Sequence, residues 1–228
     1  QIPKNRLTVV AGPVGSGKTA LICSMLGTMY LKKGSIKIID IESKPLPGIK
    51  TNSSQQECPT SSEGGKNIKP VVHSYEFLND CAFIGGIAYC AQTPFILNNS
   101  VRENILFGSD YDQKKYKLVI WACCLEQDLQ QLSQGDMTQI GERGVNLSGG
   151  QKARISLARA IYRKDPALYI FDDIFSALDV HVSKKIFERC IKTLIRDKTC
   201  IIASHDLEFA KKADLILDIV PLKSSEIT

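Results

Sequence analysis

The sequence predicts an α/β fold with a mostly parallel sheet. Three observations carry that prediction. Short apolar runs recur along the chain, stretches of helical spacing lie between several of them, and a glycine-rich turn joins the first run to the first helix. In order, "RLTVVA" (6–11) is a short buried strand running into the turn, and "KTALICSMLGTMYL" (18–31) has helical periodicity. Strand patterns return at "SIKIID" (35–40), "GIAYCA" (86–91), "ALYIF" (167–171), "TCIIAS" (199–204) and "DLILDIV" (214–220). Helical patterns cover "DQKKYKLVIWACCL" (112–125), "GGQKARISLARAIY" (149–162) and "SKKIFERCIKTLI" (183–195). Residues 100–150 hold no clear strand and read as a helical subdomain. Residues 43–80, rich in Ser, Thr, Pro, Gly and Lys, read as a surface insertion. The whole chain, 1–228, is expected to be one domain, its core drawn from 1–42, 81–99 and 151–228.

Composition narrows the function classes. The chain is 43% hydrophobic and 23% charged, which suits a packed core. A formal charge of +5 fits an anionic ligand such as a nucleotide and is too small to argue for nucleic acid. The eight cysteines form no CxxC pair, and most lie in apolar surroundings, so they read as reduced thiols. No stretch reaches the roughly 18 apolar residues of a membrane span. The chain opens on "QIPKNRLTVVAG" without an initiator Met, as a piece of something longer would.

The chemistry begins at "GPVGSGKT", Gly12 to Thr19, which fits G-x-x-x-x-G-K-[ST] between a predicted strand and a predicted helix. Glycines let the backbone amides of residues 15–19 form a nest for phosphate oxygens, completed by the positive end of the helix. Lys18 is expected to reach the β- and γ-phosphates, and Thr19 to offer its hydroxyl to Mg²⁺. The nucleotide-contacting stretch is therefore Gly12, Pro13, Val14, Gly15, Ser16, Gly17, Lys18, Thr19 and Ala20. This loop implies a nucleoside triphosphate.

The stretch "LYIFDD" then becomes readable. Two carboxylates at the lip of a core each need a cation, a proton or a role. Asp172 suits the acid that holds Mg²⁺ at the end of a second strand. Side chains alternate along a strand, so Asp173 need not point the same way and can face the γ-phosphate and polarise the attacking water.

"NLSGGQKARISLARA" (146–160) adds a second anion-binding helix end, because Gly149 and Gly150 precede a helix and leave Ser148 and nearby amides open. This stretch resembles the signature of ATP-binding cassette proteins, with Leu147, Ser148, Gly149, Gly150 and Gln151 in the motif positions. The other cassette motifs follow the same resemblance. Gln92 in "AQTPF" is similar to the glutamine loop, Asp179 in "FSALD" to the D-loop, and His205 after "IIAS" to the switch histidine. "LNNSVRENILFG" (97–108) and "FDDIFSALDVHVSKKIFE" resemble the first nucleotide-binding domain of the C subfamily, the multidrug-resistance-associated transporters and their relatives.

The resemblance implies a P-loop NTPase with a RecA-like core, ATP and Mg²⁺ as ligands, and a place at the cytoplasmic face of a membrane within an integral membrane protein. Its partners would be transmembrane domains and a second nucleotide-binding domain of the same polypeptide. The two nucleotide-binding domains would bind head to tail, with ATP between one P-loop and the other's signature. The isolated domain is expected to be monomeric. Gln92 would touch Mg²⁺ or the water and relay nucleotide state to the membrane helices. His205 would bond the γ-phosphate and position Asp173, and Asp179 would cross the dimer interface. Cassettes usually stack adenine on an aromatic upstream of the P-loop. No aromatic precedes Gly12 here, so either the stacking residue was cut off with truncated preceding strands or this form binds adenine weakly. Trp121 reads instead as core or as a buried subdomain face.

Most hydrolytic cassettes carry Glu where this chain has Asp173. Asp is one methylene shorter, which withdraws the carboxylate by about 1.5 Å, and a misplacement near 1 Å costs about 10²-fold in rate. The expectation is a site that binds ATP well and turns over slowly, with catalysis shared among Asp173, His205, Gln92 and Lys18, and metal held by Thr19, Gln92 and Asp172. Two alternatives stay open: a regulatory ATP-binding module that hydrolyses almost nothing, and a cassette ATPase acting without membrane domains.

Overall fold

The computed structural model describes residues 2–29, 86–141 and 146–220. The expected strand at 35–40 and the insertion at 43–80 lie outside these. Among the described residues, five strands form one parallel sheet in the order β2-β3-β4-β1-β5: β1 Leu7–Ala11, β2 Ile87–Cys90, β3 Leu168–Asp172, β4 Thr199–Ser204 and β5 Leu215–Asp218. β1 and β3 are buried throughout, as strands covered on both faces must be. Register pairs Val9 with Ile202 and with Ile216, and Ile170 with Ile201.

The pleat divides the core in two. Leu168 and Ile170 turn toward helix α1 (Lys18–Met25), joining Val10, Ile22, Met25, Ile201 and Ala203. Tyr169 and Phe171 turn to the opposite face, onto the larger cluster that takes in Ile155, Leu157 and Ile161 of the signature helix. α1 is shorter than the periodicity of 18–31 suggests. It stops at Met25, just before Gly27 at φ 70.

Between 100 and 141 the described elements are helices, α2 Val101–Leu106, α3 Gln113–Ala122, α4 Glu126–Gln131 and a 3₁₀ turn at Gly135–Met137, while 142–145 lie outside the described residues. A lone antiparallel bridge, Ser100 to Gln139, is the one extended pairing there among the described residues. α3 begins one residue later than the periodicity because the Asp112 carboxylate caps it, bonding Lys114 N and Lys115 N. Its end is set by Cys124 at φ 55. The signature helix α5 (Gly149–Tyr162) has the predicted bounds. α6 (Val180–Ile186) starts before the predicted Ser183 because Asp179 caps it, and the helix then widens into π-type turns over Phe187–Leu194. A short α7 (Leu207–Ala210) precedes β5.

Trp121 is a correction. Its ring is 36% exposed and lies under the Arg189 guanidinium, 4.6 Å from the ring centre, so it is a surface cation–π partner rather than core. The described cysteines, including buried Cys90, Cys123, Cys190 and Cys200, are free thiols, and Cys58 and Cys81 lie outside the described residues.

Candidate nucleotide site

In a parallel sheet the carboxyl ends of the strands share one edge, and ligands bind there. β1 ends in the glycine loop, β2 two residues before Gln92, β3 at Asp172 and β4 directly before His205. Four segments distant in sequence thus deliver the site.

The loop after β1 is built for close approach. Gly15 and Gly17 stand at φ 81 and φ 97, where L side chains are strained. A Cβ at Gly12 would fall 2.7 Å from Ser16 Oγ and 2.8 Å from the Ile219 carbonyl. Gly17 opens α1 with no side-chain cap, so the first helical amides are left for a ligand. Lys18 is buried and folds back on the loop, its Nζ donating to the Gly12 and Pro13 carbonyls at 2.9 and 2.8 Å. An ammonium has three donors, so one stays free of these carbonyls and all can swing to phosphate oxygens.

Asp172 and Asp173 part company at the end of β3. Asp172 keeps the strand's pleat and faces α1, where Thr19 Oγ1 donates to its Oδ1 at 3.1 Å. Its Oδ2 is buried without a hydrogen-bond partner among the described residues. Burial pushes this carboxyl above the ordinary carboxylate range, the Thr19 bond and Lys18 oppose the shift, and neighbouring Asp173 adds to it. An orphaned buried oxygen beside a hydroxyl is a donor set suited to Mg²⁺, which takes one or two protein oxygens and completes its shell with water and phosphate. The residues present fit that ion.

Asp173 leaves the strand at φ 47, a left-handed conformation that Asp tolerates better than most residues. Its amide still donates to the Ala203 carbonyl on β4 at 3.0 Å. The turn aims the carboxylate away from Asp172: Oδ1 lies 3.0 Å from His205 Nδ1, and Oδ2 accepts from Gln92 Nε2 at 3.4 Å. Gln92, Asp173 and His205 therefore form one hydrogen-bonded group. Behind it, Phe175 stacks on Phe209 at 4.3 Å, and Phe209 on Phe187 at 4.9 Å, tying the segment after Asp173 to the helix after His205.

The signature forms a separate end. Ser148 caps α5, its Oγ accepting from Gln151 N at 3.2 Å while Gln151 Oε1 accepts from Ser148 N at 2.9 Å, a complete capping box. Leu147 is buried as an anchor. Among the described residues a Cβ at Gly149 would meet nothing within 4 Å, whereas one at Gly150 would stand 3.3 Å from the Ala177 carbonyl. Asp179 caps α6 through Val182 N at 2.9 Å, and that bond holds its carboxyl below the usual range. Sequence reasoning passed over Asp128, Arg154, Phe175 and Phe209, whose partners lie too far along the chain for a local pattern to show.

Fold and loop together define a P-loop domain of the nucleotide-binding type. The chain belongs to the ABC transporter family, which it matches over residues 1–176. It is 39% identical over 97% of its length to ABC transporter C family member 3 of Dictyostelium discoideum. It is also 39% identical over 95% of its length to ATP-binding cassette sub-family C member 8 of Homo sapiens, and 38% over 93% to the ATP-dependent bile acid permease of Saccharomyces cerevisiae. The chain spans only 12%, 13% and 11% of those three proteins. The C-subfamily resemblance is borne out. Domains of this family bind ATP, generally with Mg²⁺. No helix among the described residues is long and apolar enough to cross a membrane.

Proposed function

We propose that this chain is the ATP-hydrolysing domain of a C-subfamily membrane transporter of the exporter type, the first of two such domains in one polypeptide. Asp173 carries the reading: a carboxylate held between Gln92 and His205, beside Asp172 and the glycine loop, is placed to orient a water toward a terminal phosphate. The backbone nest and Lys18 bind the phosphates, while Thr19 and Asp172 hold Mg²⁺. When bound, that ion neutralises charge developing on the β- and γ-phosphates. Asp173 accepts the water's proton, and His205, bonded to Asp173 through Nδ1, keeps Nε2 for the γ-phosphate.

Ser148 and the open side of Gly149 support the head-to-tail arrangement, because no described residue of this chain would crowd a side chain at 149. Something outside the chain would need that space, and a partner's ATP fits. Asp179, while capping α6, would stand at the same seam. Phe95 and Phe107, 59% and 53% exposed on either side of Arg159, would form part of the surface that receives the membrane domains. The domain would sit at the cytoplasmic face, with ATP and Mg²⁺ as its ligands and no nucleic acid among its partners.

The short Asp173 makes this a slow site, and its companion, formed by this signature and the partner's P-loop, would do most of the hydrolysis. The test is to trap the full-length protein in membranes during turnover and identify the nucleotide held at Lys18, with Asp173→Glu in parallel. ATP in the wild type turning to ADP in the variant supports a holding site set by the missing methylene. ADP in both shows Asp173 to be a sufficient base. ATP in both indicates a regulatory module that gates a channel or partner with little hydrolysis.

A further inference from the structure

The start of the signature helix is held by a residue from a different helix. Asp128, in the first turn of α4, accepts from Arg154 Nη2 at 2.8 Å on each of its oxygens, from Arg154 Nε at 3.0 Å and from Gln151 Nε2 at 3.2 Å. The Asp128 and Arg154 side chains are 15% and 13% exposed, so solvent screens the pair weakly.

The chemistry of Gln151 makes this more than a structural pair. An ionised carboxylate can only accept, so Gln151 must turn its NH₂ toward Asp128. Its carbonyl oxygen then falls on Ser148 N, completing the capping box. In the flipped orientation an NH₂ would face the Ser148 N–H and the box would be lost. Asp128 therefore selects one of two amide orientations. With Ser148 Oγ already accepting from Gln151 N, its proton is left to donate outward. Arg154 also lies against Gly150, where a Cβ would stand 3.5 Å from Nη1.

We infer that Asp128 is a positioning residue for the signature: by orienting the Gln151 amide and fixing the Arg154 fork, it holds the Ser148 hydroxyl and the first amides of α5 in place for the terminal phosphate of an ATP bound to the partner domain. This rests on the composite-site reading proposed above. It predicts a defect at the shared site and none at this chain's own P-loop.

The test uses the full-length protein in membranes, with Mg·ATP turnover as one readout and labelling of this P-loop by an azido-ATP photoprobe as the other. Ser148→Ala is the benchmark. Asn at 128 keeps the size but can offer its own NH₂, so it releases the Gln151 amide. Asp128→Asn is expected to lower kcat by about tenfold, the scale of one lost charge-assisted hydrogen bond. Photolabelling at Lys18 should stay unchanged, and Asp128→Glu should recover part of the rate. Wild-type kcat in Asp128→Asn alongside a defective Ser148→Ala overturns the inference. So does a fall in photolabelling proportional to the fall in kcat, the mark of a packing role. An intact kcat in Ser148→Ala removes the composite site itself, and the inference with it. Should Asp128→Asn fail to accumulate, Gln151→Ala breaks the same relay while keeping the Asp128–Arg154 pair, and wild-type kcat there overturns the inference equally.

Discussion

At the P-loop end of this domain, α1 opens without a side-chain cap, Lys18 is folded onto its own loop, and Ser16 Oγ and Asp172 Oδ2 are buried without partners among the described residues. At the signature end, α5 opens on a complete capping box, and Gln151, Arg154 and Asp128 engage one another. Both are glycine-bearing helix starts suited to phosphate, yet one leaves polar groups unmatched and the other satisfies them internally. Buried polar atoms without partners are destabilising until something binds them. On the function proposed above, rearrangement on ligand binding would belong to the P-loop end, and the signature would act as a preset pole.

The largest expected effect that would break this contrast is in the aromatic stack behind the P-loop end. Phe209→Ala should destabilise the fold by about 3–5 kcal/mol in denaturant titrations and loosen Asp173 from His205. A small loss would mean that the site does not depend on that stack. Next, Lys18→Ala should weaken ATP binding by about 100-fold or more, since it removes charge-assisted bonds to phosphate, with little change in melting temperature. A Lys18 that proved mainly structural would make the two ends alike.

Asp173→Glu sharpens the contrast at a smaller scale. Lengthening the acid should raise turnover, while a bulkier residue at φ 47 should cost about 1 kcal/mol of stability in a melting comparison. A gain in rate without a stability cost would remove backbone strain from the account of this end. The smallest effect concerns Asp179. Its carboxyl is depressed by the bond from Val182 N, so the cap's contribution is present above the ordinary carboxylate value and is lost as pH falls through the folded one. Asp179→Asn should flatten the acid limb of the stability profile slightly.

Much of the fold was legible because burial repeats locally. "TCIIAS" and "GGQKARISLARAIY" became β4 and α5 at their predicted limits, since one is continuously apolar and the other carries its own cap and amphipathic face. The site was legible where a motif fixes backbone geometry, as from Gly12 to Thr19. Illegible were features that depend on distant partners. Asp128 meets Arg154 across 26 residues of chain. Trp121 meets Arg189, its cation–π partner, across 68 residues of chain. The left-handed turn at Asp173 follows from the place where β4 holds its amide, which no local pattern encodes.

The strand order has a consequence in time. β1 leads into the P-loop, yet its neighbours among the described residues are β4 and β5, so Leu7 finds its partner at Cys200, 193 residues further on, and Thr8 at Leu215. During synthesis at about 5–20 residues per second, this strand waits about 10–40 s for the ribosome to release its neighbours. Non-local pairing of this kind folds slowly and leaves an apolar edge open meanwhile. A nascent chain stopped before Thr199 would hold every residue of the glycine loop, and the β2–β3 pair beside it, while still lacking both described neighbours of β1.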